Sequence, residues 1–179
     1  DWSSDVCSSD LVDYPVTAGA YQISQDGANE TVFVSKLNPA GSALVYSTFI
    51  GSGESRGYSL AIDTTGSVYL TGRTYNPHYP TTTGAFQTSP FGPGEWSFVT
   101  KLNPDGSDLV YSTFLSGTGG VTAVSIAIDS SHAAYVTGQA GDGFPTTPDS
   151  LQPSFRGGTK DGFVARLDPN GSQLEYGTY

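Results

Sequence analysis

Seventeen residues recur three times in this chain at one fixed spacing. They read Phe33-Val-Ser-Lys-Leu-Asn-Pro-Ala-Gly-Ser-Ala-Leu-Val-Tyr-Ser-Thr-Phe49, then Phe98-Val-Thr-Lys-Leu-Asn-Pro-Asp-Gly-Ser-Asp-Leu-Val-Tyr-Ser-Thr-Phe114, then Phe163-Val-Ala-Arg-Leu-Asp-Pro-Asn-Gly-Ser-Gln-Leu-Glu-Tyr-Gly-Thr-Tyr179. The offsets are 98 − 33 = 65 and 163 − 98 = 65 residues. A fixed period means that one supersecondary unit is reused, each copy hiding its apolar side against the next. That constrains architecture before any local propensity does, and it says much less about a ligand.

The second copy, about Gly57 to Phe114, shows what the unit is. Tyr58–Ile62 reads as a strand, and Asp63-Thr-Thr-Gly66 as a turn in which Asp binds its own backbone and Gly accepts positive φ. Ser67–Thr71 follows as a second strand. Alternation sets Val68 and Leu70 on one face and Tyr69 and Thr71 on the other. A long connection from Gly72 to Glu95 leads to a third strand, Trp96–Leu102. Asn103-Pro-Asp-Gly106 turns the chain into a fourth, Asp108–Phe114. The third copy matches: Ile126-Ala-Ile-Asp129 answers Leu60-Ala-Ile-Asp63, and Tyr135-Val-Thr-Gly138 answers Tyr69-Leu-Thr-Gly72. The offset there is 129 − 63 = 66, which places one inserted residue in the Gly-rich link near 51–57 or 116–123. The first copy holds only its second hairpin. Ten strands are expected, and abundant Gly with 11 Tyr and 9 Phe suits short strands and tight turns rather than helices.

Both ends read as cuts through a longer array. The chain contains no Met, and residues 1–11 have no counterpart in the later copies. They resemble the translation of a common sequencing-library adapter and are set aside from fold reasoning. They hold the single cysteine, Cys7, so no disulfide staples the repeats. The expected organisation is therefore an adapter-like arm at 1–11 and one repeat domain at 12–179, made of a half unit at 12–51 and whole units at 57–115 and 122–179. The formal net charge is −10. An acidic surface with few bases argues against nucleic-acid binding. No apolar run approaches the roughly 20 residues that span a bilayer, so membrane insertion is not expected.

Four antiparallel strands per tandem unit are the pattern of β-propeller blades. Here the chain resembles the bacterial SBBP family, named for its seven-bladed propeller repeats. The matching residues are Ala61-Ile-Asp-Thr-Thr-Gly66, Tyr69-Leu-Thr-Gly72, Tyr79-Pro-Thr-Thr82, Ala85-Phe-Gln87 and Phe98 through Phe114, repeated from Ala127 to Tyr179 and in part from Tyr14 to Phe49. A looser similarity is to NHL-type propeller repeats, whose middle connection is shorter. The resemblance implies an all-β fold, an incomplete β-propeller of four-stranded antiparallel blades about 65 residues apart. It further implies a non-catalytic scaffold or interaction module of a secreted or cell-surface bacterial protein, with a protein or glycan ligand and adjacent blades of the same parent chain as partners. Two alternatives stand beside it: a propeller-class enzyme whose catalytic residues lie in other blades, and a carbohydrate-binding propeller, since Tyr and Trp are plentiful and Trp96 stands where the next copy has Asp161.

The chemistry-bearing residues are mostly in phase, and reuse at every period favours packing over a specific site. Tyr14-Pro, Tyr79-Pro and Phe144-Pro recur in the long connection, which reads as a loop folded on its own aromatic plug and covering the neighbouring blade. Lys36, Lys101 and Arg166 are in-phase cations that could ring an anionic ligand; the expected reading is instead a salt bridge or a snorkelling stem on a strand edge. Asp63 and Asp129 are expected to be turn caps, because Asp-x-x-Gly supplies too few oxygens for calcium. His78 stands opposite Gly143 and His132 opposite Gly66, neither near a Cys or a second His, so no zinc site is expected. His132 in a glycine's turn position predicts positive φ there. No nucleophile elbow, Walker loop or His-Glu-x-x-His stretch occurs, and no catalytic residue, metal or cofactor is expected. Unpaired strand edges are expected at both ends of the array.

Overall fold

In a computed structural model, residues 13–25 and 30–179 are described. The adapter-like segment 1–11, with Cys7, lies outside them. The described residues hold ten strands and no helix: β1 Val32–Leu37, β2 Leu44–Ile50, β3 Ser55–Ile62, β4 Val68–Thr74, β5 Trp96–Leu102, β6 Leu109–Leu115, β7 Val121–Ile128, β8 Ala134–Ala140, β9 Asp161–Leu167 and β10 Leu174–Thr178. No helix is therefore available among these residues to cross a membrane.

The strands form an amino-terminal hairpin β1–β2, a central sheet β3-β4-β5-β6 and a third sheet β7-β8-β9-β10, all antiparallel with sequence neighbours paired. β3 starts at Ser55, three residues earlier than the alternation indicates, because a bulge between Gly57 and Ser59 carries the ladder on. The same bulge recurs between Ala123 and Ser125. It leaves Tyr58 and Val124 turned outward, which hid the strand's start from a strict period of two. The inserted residue is also located. Four residues, 51–54, separate β2 from β3, and five, 116–120, separate β6 from β7.

Two cores lie on opposite sides of the central sheet. Val68, Leu70, Phe98 and Phe114 meet Val34 and Tyr46 of the hairpin. Tyr69, Val99 and Tyr111 meet Val121, Ile126, Val136 and Leu167 of the third sheet. The alternation of Val68, Tyr69 and Leu70 is thus a choice between two neighbours rather than between core and solvent. The three repeated phenylalanines share one environment. Tyr14, Tyr79 and Phe144 lie against Phe33, Phe98 and Phe163 with ring centroids 4.2, 4.3 and 4.4 Å apart.

The long connection runs as a strap along the last strand of its own sheet. Thr17, Thr82 and Thr147 donate backbone N–H to the carbonyls of Ser47, Ser112 and Gly177 at 3.1, 3.0 and 3.0 Å. Phe49, Phe114 and Tyr179 donate in turn to Gln22, Gln87 and Gln152 at 3.0, 2.9 and 3.1 Å. The loop therefore folds on its own aromatic plug and reaches its neighbour, as expected, and in addition pairs along the edge of its own sheet. This pairing corrects the expectation of a bare edge at the last strand of the third sheet, which the strap occupies, whereas β1 at the other end pairs only with β2, as expected. What stays open at the array's end is a sheet face.

Candidate functional site: the seams between sheets

The chemistry-bearing residues gather where one sheet meets the next. In the central sheet, Asp63 is held by its turn. Its Oδ1 accepts the N–H groups of Thr65 and Ser67 at 2.9 and 3.0 Å. Its Oδ2 accepts the Tyr69 hydroxyl at 3.3 Å and lies 3.6 Å from Lys101 Nζ. Burial opposes the charge, but the hydrogen bonds from Thr65 and Ser67 and the nearby Lys101 together hold the carboxyl below the usual range. Lys101 also stands 4.7 Å from the centroid of the Tyr69 ring.

The third sheet repeats the cluster. Asp129 caps its turn through the N–H groups of Ser131 and Ala133 at 2.9 and 3.0 Å. Arg166 Nη2 reaches Asp129 Oδ2 at 3.1 Å, and its guanidinium lies 5.4 Å from the Tyr135 ring centroid. The Ser131 hydroxyl bond, followed by the backbone and Arg166 bonds, keeps Asp129 far below the ordinary carboxylate range. In the hairpin, Lys36 sits 6.0 Å from the Tyr46 ring centroid. Lys101 and Arg166 therefore lie beside in-phase tyrosines, Tyr69 and Tyr135, whereas Lys36 lies beside Tyr46, the counterpart of Tyr111, and no group of His, Cys, Asp or Glu among the described residues could hold a metal ion.

His132 has φ 68°, the conformation that its alignment with Gly66 (φ 88°) predicts. Its backbone N–H donates to the Asp129 carbonyl at 2.9 Å, as Gly66 does to Asp63 at 3.0 Å. Trp96, a possible sugar platform in the sequence, is in the core. It is packed edge-on to Phe114, and its indole N–H donates to the Phe91 carbonyl at 3.0 Å.

Sequence reading missed how the seams are fastened. The turn glycine of the second and of the third unit is seated on a tyrosine of the unit before. A Cβ on Gly106 would stand 2.3 Å from the Tyr46 ring, and one on Gly171 2.2 Å from the Tyr111 ring. The strap reaches across as well: Tyr21 N–H donates to the Gly106 carbonyl at 2.8 Å, and Phe86 N–H to the Gly171 carbonyl at 2.9 Å. Ser97 Oγ clasps the first strand of the third sheet, donating to the Val121 carbonyl at 3.0 Å and accepting Ala123 N–H at 2.6 Å. Tyr46 and Tyr111, with Gly106 and Gly171, stand in plain view in the repeated seventeen residues. What the sequence lacked was which unit each one touches.

The first seam differs from the second at one corner. A cleft of about 410 Å³ is lined by Tyr21, Gln22, Gln25, Ser52, His78 and Pro80, among others. The corresponding corner of the second seam has different contacts. There Gln87 Oε1 takes the N–H and hydroxyl of Ser116 at 2.8 and 3.0 Å. Gly117 packs so tightly on the Gly143 carbonyl that a Cβ would stand 2.6 Å from it. The first seam has Gly51 in place of Ser116 and His78 in place of Gly143.

The chain was compared with family models and with curated proteins. Neither comparison gives a match.

Proposed function

We infer that the chain is a run of β-propeller blades of the SBBP kind, serving as a non-catalytic scaffold or interaction module of a secreted or cell-surface bacterial protein. One observation carries the reading. The acidic and basic residues that recur at every period are consumed in building the repeat, Asp63 and Asp129 as turn caps, Lys101 and Arg166 as their counter-ions. A carboxylate bound by two backbone N–H groups and a cation is poorly placed to exchange protons with a substrate. Right-handed strand twist, accumulated over packed four-stranded sheets, supports a radial arrangement. The test is a chain extended to seven units and viewed by electron microscopy. Class averages with a closed ring and central channel are expected; an open rod would overturn the propeller assignment.

A second reading, binding of a neutral glycan, is favoured by the first-seam cleft. Gly51 and His78 there stand where the next unit has Ser116 and Gly143, and the lining combines a tyrosine and a proline ring with amide, hydroxyl and imidazole groups and, among the described residues, no charged side chain. Titration of neutral oligosaccharides into the chain and a Tyr21→Ala variant tests it. Binding lost in the variant supports the reading, and no binding to either rejects it.

A further inference from the structure

The seams are built from in-phase positions, so each position can be followed to the sheet that has no successor among the described residues. Val34 and Val99 are buried against the sheet that follows them, whereas Val164 is 42% exposed. Tyr69 is fully buried and Tyr135 is 39% exposed. Tyr46 and Tyr111 each lie beneath the next unit's turn glycine, but Tyr176 is only half-buried. In the straps, Tyr21 and Phe86 pack into the seams, while Leu151 is 87% exposed. The backbone donors agree with the side chains. Tyr21 and Phe86 give their N–H to the next unit's glycine carbonyl. Leu151 N–H instead donates to the Tyr176 hydroxyl of its own sheet at 3.3 Å.

We propose that the outer face of the third sheet, formed by Tyr135, Leu151, Val164 and Tyr176, is a docking surface for a further four-stranded sheet of this same repeat, whose turn glycine seats on Tyr176 and accepts the Leu151 N–H. The proposal rests on the repeat reading but not on ring closure, since a rod of stacked sheets would use the same face. Continuity with the formed seam names the occupant: both existing seams place a glycine over the tyrosine, and at both a side chain there would collide with the ring.

One position adds selectivity. Before the third strand of each unit stand Glu30, Glu95 and Lys160. Glu30 pairs with Arg56, and Glu95 accepts the hydroxyl of Thr122, each partner lying on the next sheet's first strand. At the third face the carboxylate is replaced by Lys160, which reaches back to Glu95 at 3.7 Å. An occupant bearing an arginine in the place of Arg56 would meet like charge there. One bearing a threonine, as in the third unit, would not.

The experiment appends a second copy of residues 115–179 after Tyr179, which is one period of 179 − 114 = 65 residues. The appended copy carries phenylalanine in place of its own equivalents of Tyr135 and Tyr176, so that nitration by tetranitromethane reports the original pair. Tyr58 and Tyr75, exposed in the chain, serve as internal controls. In the extended chain the nitration rates of Tyr135 and Tyr176 are expected to fall at least tenfold, to those of Tyr69 and Tyr111, with the controls unchanged. A second extended chain, with valine at the appended turn glycine, is expected to restore nitration at Tyr176. Unchanged rates in the first extended chain overturn the proposal, whether its appended copy is folded or not. Protection of both tyrosines in the unextended chain that grows with protein concentration also overturns it, by making a second copy the occupant.

Discussion

The central and third sheets are built from nearly the same sequence, yet one is buried on both faces and the other on one. Lys101 and Arg166 are equivalent, each beside its turn aspartate and over its tyrosine ring. Lys101 is nine-tenths buried because the third sheet lies over it, and Arg166 remains partly in solvent. The same residues thus form a desolvated ion pair in one place and a wet one in the other. The difference teaches that burial belongs to the seam and not to the unit.

The comparison can be broken or sharpened by paired substitutions followed by denaturant unfolding. The largest contrast is expected between Tyr69→Ala, which empties a buried ring site and costs about 3–5 kcal/mol, and Tyr135→Ala, which costs below about 1 kcal/mol. Equal effects would break the comparison. Lys101→Ala should cost about 3 kcal/mol by stranding the buried Asp63 carboxylate, while Arg166→Ala should change stability by a small part of that.

The turn glycines follow. Gly41, Gly106 and Gly171 all have positive φ, at 67°, 70° and 65°, so alanine strains each backbone similarly. A Cβ on Gly41 meets nothing within 4 Å, whereas the other two collide with a tyrosine ring. Gly41→Ala should therefore cost about 1 kcal/mol, and Gly106→Ala and Gly171→Ala measurably more. Identical costs would show that the tyrosine seat contributes nothing.

Acid sensitivity is a smaller effect. Asp63, Asp129 and Asp168 all lie below the ordinary carboxylate range in the folded state. Depressed folded values contribute stability above the unfolded carboxylate pKa of about 4, and that contribution is lost as pH falls below it. Melting temperature should be flat above about pH 5 and fall below about pH 4, and Asp63→Asn should flatten the fall. The smallest effect is at His132, where glycine removes the strain of φ 68° and should stabilise by about 0.5 kcal/mol after the entropy of the looser unfolded chain is subtracted.

Much of this was legible in the sequence because repetition supplied the alignment that one chain otherwise lacks. The strand count, the turn caps, the aromatic plugs and the left-handed His132 all follow from comparing a copy with its neighbour. The bulge at Gly57–Ser59 escaped because it turns Tyr58 outward in a strand whose alternation then fails. The strap along β6 escaped because its bonds are backbone to backbone, Thr82 to Ser112 and Phe114 to Gln87, and carry no side-chain signature. The seam cleft escaped for a different reason. In the sequence His78 is weighed only as a zinc ligand, and only packing places it with Tyr21 and Pro80 in the lining of a cleft.

The central claim is that each sheet hides its outer face only beneath the sheet that follows. Hydroxyl-radical footprinting of the chain, resolved by residue, tests it most directly. Tyr69, Tyr111 and Val99 should be protected, and Tyr135, Leu151 and Val164 modified at rates near those of the exposed Tyr58 and Tyr75. Equal protection of the two sets, or modification of Tyr69 and Tyr111 as fast as Tyr135, would contradict the account.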